Sequence, residues 1–165
     1  MQARRKILAL CSALGAVLVA CASDIDVSTT VDPLARFPAQ ATYVWDEAGS
    51  KLPKDPRFLQ LDADSLIREA ANAELAARGY RLSGGRSAPY RLAYDFAVHT
   101  WRGPDNSSSY GSLSLWLSDE AKRRVWMGYA RAEIHVGLSR EDRLARIREA
   151  MARMLEDFPP EQRGE

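Results

Sequence analysis

The chain has 165 residues, 46% hydrophobic and 27% charged, with 10 Gly and 8 Pro, which excludes a disordered, collagenous or multi-span membrane protein. Its formal charge is +1. Without Arg4, Arg5 and Lys6 the 23 basic residues fall to 20 against 22 acidic ones, and so balanced a body has no electrostatic footprint for nucleic acid.

In chain order, the first expected element is an export signal over residues 1–20. Arg4, Arg5 and Lys6 precede an uncharged apolar run from Ile7 to Ala20. Its fourteen residues would rise roughly 21 Å as a helix, short of the ~30 Å hydrocarbon core, so it reads as a cleaved signal rather than a span. The flanking Ala3 and Lys6-Ile7-Leu8 fit general secretion better than a twin-arginine signal. The run ends in Leu18-Val19-Ala20-Cys21, which resembles the bacterial lipobox, where the Cys thiol takes up diacylglycerol before cleavage. Cys11 falls in the discarded part, so Cys21 is the sole mature cysteine and no internal disulfide can form. The expected partner is membrane lipid through acylated Cys21, since two or more chains make such anchoring stable. Ala22 stands where Asp would favour inner-membrane retention. Resemblance to sorted lipoproteins therefore implies the outer membrane, facing the periplasm.

Residues 21–24 form a short lipidated tether. Three extended residues reach only ~10 Å, which keeps the body close to the bilayer. A single domain is expected over residues 25–160, with a tail at 161–165. Ile25, Val27, Thr29 and Val31 alternate as in a strand, which Asp32-Pro33 ends. After a loop with Pro38, Thr42 to Trp45 reads as a second strand, followed by a turn-rich connection from Gly49 to Pro56. Asp62 is the expected N-cap of a helix from Ala63 to Arg78 with the stripe Leu66, Ile67, Ala70, Ala71 and Leu75. Gly79 would supply its left-handed terminus.

Tyr80 to Leu82 makes a brief strand before the Gly84-Gly85 turn. Three longer strands are expected next. Tyr90 to Thr100 places Tyr90, Leu92, Tyr94, Phe96 and Val98 on one face. Tyr110 to Ser118 places Leu113, Leu115 and Leu117 together, with Ser112, Ser114 and Trp116 opposite. Val125 to His135 places Trp126, Ala130, Ala132 and Ile134 together, with Met127, Tyr129, Arg131 and Glu133 opposite. A polar link runs from Arg102 to Ser108, and a tighter one from Asp119 to Arg123. Ser139 caps the last helix, whose stripe runs from Leu144 to Phe158 before Pro159-Pro160, with Asp142/Arg146 and Glu149/Arg153 as outer-face pairs. The expectation is a two-layer α+β domain, a mostly antiparallel sheet with two amphipathic helices packed on one face.

These segments resemble the bacterial lipoproteins of domain-of-unknown-function family 4136. The resemblance begins at Cys21 and Asp26-Val27-Ser28-Thr29, continues through Phe37 and Thr42-Tyr43-Val44-Trp45-Asp46, and includes the helix ending Glu74-Leu75-Ala76-Ala77-Arg78-Gly79-Tyr80. It covers Leu92-Ala93-Tyr94, the hairpin from Tyr110-Gly111-Ser112-Leu113-Ser114-Leu115 to Arg124-Val125-Trp126-Met127-Gly128, and the ending Met154-Leu155-Glu156-Asp157-Phe158-Pro159-Pro160. Ser118-Asp119-Glu120-Ala121 departs from a more usual Asp-Ala-Arg-Thr-like turn. The resemblance implies the fold and an envelope location, and carries no functional residue beyond Cys21.

Chemistry-bearing motifs are sparse. His99 and His135 are the only histidines; with Asp95 and Glu133 they are a conceivable zinc set, but no ligand-spacing motif is present and no metal or cofactor is expected. Ser107 to Ser109 lie in a link with no nucleophile elbow, and Gly84-Gly85 lacks the residues of a phosphate loop. The chain is therefore read as no enzyme. The expected partner or ligand face is the aromatic one, Trp101, Trp116, Met127 and Tyr129, with Arg131 able to lie over a ring. The leading expectation is a binding module for an envelope protein or lipid. The alternative is a small-ligand carrier using the open sheet face or a groove beside the Arg102 to Ser108 link.

Overall fold

The computed structural model describes residues 24–53, 62–85, 87–102, 107–134 and 137–160, with the side chains at 101, 102, 107 and 108 set aside. The export segment, Cys21, His135 and the tail lie outside the described residues. The elements are β1 (Asp26–Val31), β2 (Ala41–Trp45), α1 (Ala63–Ala77), β3 (Tyr80–Leu82), β4 (Tyr90–Arg102), β5 (Ser107–Ser118), β6 (Arg124–Glu133) and α2 (Arg140–Met154). They build an α+β fold on one open, mixed sheet of six strands in the order β1-β6-β5-β4-β2-β3.

The antiparallel expectation holds for part of the sheet. β1 pairs with β6, β6 with β5 and β5 with β4 antiparallel, but β2 runs parallel to both β3 and β4. The cause is α1. A helical crossover carries the chain back to the end where β2 began, so β3 must run beside β2 in the same direction.

Two boundaries also move. The ladder takes in both ends of the polar link expected from Arg102 to Ser108, with Thr100 opposite Ser109, Trp101 opposite Ser108 and Arg102 opposite Ser107, while residues 103–106 lie outside the described residues. Main-chain pairing needs no apolar side chain, and the Thr100 and Ser109 hydroxyls add a 3.1 Å hydrogen bond. α2 stops at Met154, whereas the apolar spacing runs on through a turn in which the Phe158 N–H donates to the Leu155 carbonyl.

The buried row of the sheet carries Leu92, Tyr94 and Phe96 on β4, Leu113, Leu115 and Leu117 on β5, and Trp126 and Ala130 on β6. Both helices touch this row. Asp64 of α1 meets the Tyr94 hydroxyl, and Met154 of α2 lies against Gly128. A Cβ at Gly128 would stand 2.7 Å from the Trp126 ring and 3.0 Å from the Met154 Cβ, so only hydrogen fits there. Gly79 ends α1 at φ +86°, the expected left-handed stop, with the Ala39 carbonyl 2.7 Å from where a Cβ would be. Asp62 precedes α1 in a left-handed conformation and makes no side-chain cap, contrary to expectation. Ser139 does cap α2, its Oγ accepting from the Asp142 N–H at 3.1 Å.

Past α2, Phe158 is the hub of an aromatic cluster, with ring centroids 5.0 Å from Tyr80, 5.2 Å from Trp126 and 5.5 Å from Phe37. Tyrosine hydroxyls tie the loop before β2 to this cluster. Tyr80 donates to the Pro38 carbonyl at 2.8 Å, and Tyr90 to that of Arg36 at 2.6 Å. Among the described residues no helix is long and apolar enough to cross a membrane.

Candidate functional site

Register defines the face opposite the buried row. Trp116 sits across from Ala93 on one side and Met127 on the other; Ser114 sits across from Asp95 and Tyr129, and Ser112 across from Ala97 and Arg131. Trp116, Met127, Tyr129 and Arg131 therefore share one row, the first three half-buried and Arg131 exposed. Trp101 is placed by its backbone alone, opposite Ser108.

Two cation–ring stacks organise this row. The Arg131 guanidinium lies 3.9 Å from the centre of the Tyr110 ring, and that of Arg124 4.6 Å from the centre of Trp116. Each is worth roughly 0.5–1 kcal/mol at an exposed site. His99 stacks on Tyr110 at 4.7 Å and 18°, and its Nε2 stands 3.2 Å from the Ser112 hydroxyl, which is buried beneath it. Among the described residues neither Arg124 nor Arg131 has a carboxylate partner. Sequence reading left Tyr110 and Arg124 out of the face. Tyr110 lies an even number of residues from Trp116 on one strand, so strand parity could have found it; Arg124 follows from register alone.

The zinc set is not brought together. Tyr110 is the cross-strand partner of both His99 and Glu133, so a whole strand separates those two, about 9–10 Å by strand spacing. Asp95 lies two pleats away from His99, opposite Ser114. His135 is outside the described residues, among which no three His, Cys, Asp or Glu side chains converge.

A denser polar cluster lies on the helix side. Arg68 of α1 donates to both Glu47 oxygens at 2.9 and 2.6 Å and to Asp64 at 2.7 Å, with its guanidinium 4.7 Å from the Trp45 ring centre. Tyr94 donates to Asp64, while Tyr43 and the Trp45 indole both donate to Asn72. Among the described residues no buried side-chain N or O lacks a partner.

The cluster gives the fold a pH signature. Burial raises the Asp64 carboxyl, but hydrogen bonds from Arg68 and Tyr94 and the Arg68 charge outweigh it and leave it below its usual range. A depressed carboxylate stabilises the fold above its ordinary pKa of about 4, and that contribution is lost as pH falls through the lower folded value. Burial pushes Tyr43 and Tyr80 up to about 12, the latter helped by Tyr90. Burial likewise raises Tyr90 and Tyr94, the second also through its bond to Asp64. Raised groups stabilise the fold below about pH 10, and the contribution fades as pH climbs through the folded values. Urea unfolding midpoints are thus expected to hold near neutrality and to drop steeply between about pH 10 and 12, with tyrosinate absorbance appearing together with unfolding. Smooth ionisation of all the tyrosines in a protein that stays folded would contradict this.

An apolar cleft of about 100 Å³ opens at the other end of the helix side, between β5, β6 and the first half of α2. Phe96, Leu113 and Ala130 of the buried row are among its lining residues, as is Arg131.

Comparison with known proteins agrees with this architecture. A model of a domain of unknown function, DUF4136, matches residues 27–160. The chain belongs to that family. No curated protein matches it. The DUF4136 fold is shared with two PelC dodecamer structures from Paraburkholderia phytofirmans. One is 18% identical with a TM-score of 0.50, covering 79% of this chain and 94% of that one. The other is 17% identical with a TM-score of 0.51, covering 79% and 95%. A PDZ domain protein from Parabacteroides distasonis is 11% identical with a TM-score of 0.56; the match covers 86% of this chain but 36% of that one, so the DUF4136 chain corresponds to about a third of it.

Proposed function

We propose that this chain is a lipoprotein held by acyl groups on Cys21 at the periplasmic side of the outer membrane. It is a two-layer body whose helices cover one sheet face and whose other face binds an envelope protein without catalysis. The observation that carries the binding role is the row of Trp116, Met127, Tyr129 and Arg131, on which no described helix lies. Half-buried aromatic residues beside guanidinium groups are the composition of interface centres. The same stacks also stiffen the sheet.

A photoreactive residue in place of Tyr129 is expected to crosslink one dominant envelope protein in cells, and one in place of exposed Glu149 on α2 is not. Trp116→Ala should reduce that crosslink about tenfold, the size of an interface hot spot, while moving the urea midpoint little. Equal crosslinking from both positions, or loss of the fold without loss of a partner, would remove the binding role.

A further inference from the structure

The apolar cleft follows from side-chain size. Gly111 sits opposite Ala132, and Leu113 opposite Ala130, on the helix-facing row. Above them the first half of α2 has no fully buried residue; those of the helix are Ala150, Met151 and Met154. Three small residues under a polar helix start leave a slot walled by Ile25, Phe96, Leu113, Ala130, Ile147 and Ala150. Even a Cβ at Gly111 would approach nothing closer than 3.6 Å.

The chain enters the body at the mouth of this slot. Ile25 is one of its walls, only 2% exposed, and the preceding Asp24 is gripped by Arg146 of α2 through two contacts of 2.8 and 2.9 Å. Arg146 also donates to the Glu133 carbonyl at 3.2 Å, so the grip is fixed to the end of β6. Cys21 is three residues before this fixed point. The intervening chain spans at most ~10 Å.

We infer that the slot holds the end of an acyl chain carried by Cys21 itself, an inference that rests on the lipoprotein reading above. Moving methylenes from a bilayer into an apolar slot changes their surroundings little. The gain comes from the slot's own walls, which lose water when it fills. A dry cavity of ~150 Å³ lined by such residues takes up benzene, so this one suits the last few carbons of a chain. The remaining acyl groups stay in the bilayer and keep the anchor.

The test uses the full protein made in cells fed a fatty acid with a terminal diazirine, reconstituted in phosphatidylethanolamine–phosphatidylglycerol vesicles, irradiated and digested. The expected product joins the acylated Cys21 peptide to peptides containing Leu113 or Ile147. Ala132→Phe, which fills the slot, should cut its yield at least tenfold, and Ala132→Ser should preserve it. If Ala132→Phe does not fold, Ile147→Trp fills the slot from the helix. Adducts to lipid alone, or slot adducts unaffected by filling, would overturn the inference and leave the anchor standing. Slot adducts bearing a phospholipid rather than the Cys21 peptide would overturn it in favour of a bilayer lipid. A Cys21 peptide without acyl mass, seen in the same digest, would overturn the lipoprotein reading itself.

Discussion

Phe158→Ala is expected to destabilise the fold by about 3–5 kcal/mol, the cost of emptying a fully enclosed aromatic site. Phe158 is 4% exposed and belongs to no helix or strand. Its ring nevertheless meets Phe37 from the loop before β2, Tyr80 at the start of β3 and Trp126 of β6. Removing it opens a void where elements distant in sequence converge, and none of them can collapse inward without losing its own contacts. Two of the three neighbours are near-perpendicular pairs, a geometry that adds roughly 0.5–1.5 kcal/mol each beyond simple burial. Phe158→Leu should recover about half of the loss, since it restores volume but not ring geometry. Equilibrium urea unfolding decides the matter: a loss below about 1 kcal/mol for Phe158→Ala would mean that the cluster is loosely packed.

Cys21→Ser, made with residues 1–20 exchanged for the cleavable signal of a soluble periplasmic protein because the native signal is cut only after acylation, is expected to move the protein from the membrane fraction to the soluble periplasmic fraction. A hydroxyl cannot take up diacylglycerol by the thiol route, and without acyl chains the described body offers no membrane-spanning helix in exchange. One acyl chain gives only marginal binding and two or more give stable anchoring, so losing all of them changes membrane affinity by several orders of magnitude. Fractionation with and without the substitution, alongside mass measurement of the N-terminal peptide, reads the result directly. A Cys21→Ser protein still bound to membranes after a high-salt wash would refute the anchor.

Much of the fold was legible because period-2 and period-3.6 patterns are local. Leu113, Leu115 and Leu117 announce which side of β5 is buried, and Ile67, Ala70, Ala71 and Leu75 do the same for α1. Gly79 marks its helix end because only a residue without Cβ fits there. The parallel placement of β2 was not legible, since it depends on where α1 returns the chain rather than on any residue in β2. Pattern also gives the face of a residue but not its neighbour across strands. Arg131 was expected over a ring of the aromatic set and is found on Tyr110, whereas Trp116 carries Arg124. The Asp142/Arg146 pair expected from helical spacing gives way to a longer reach, with Arg146 on Asp24 and Asp142 accepting from the Ser139 hydroxyl. The cleft was hidden for the same reason, because it arises only when Gly111 and Ala132 are brought side by side by register.

The pairing of β1 with β6 joins residues about a hundred positions apart, Asp26 opposite Arg131. A polypeptide threaded across a membrane from its amino end delivers β1 first and its mate almost last. If the chain is exported as proposed, the outermost strand would wait, unmatched, until nearly all of the molecule had emerged, and closure of the sheet at that edge would be a late event in maturation. Any factor that shields newly exported chains would find its longest-lived target in that one waiting strand.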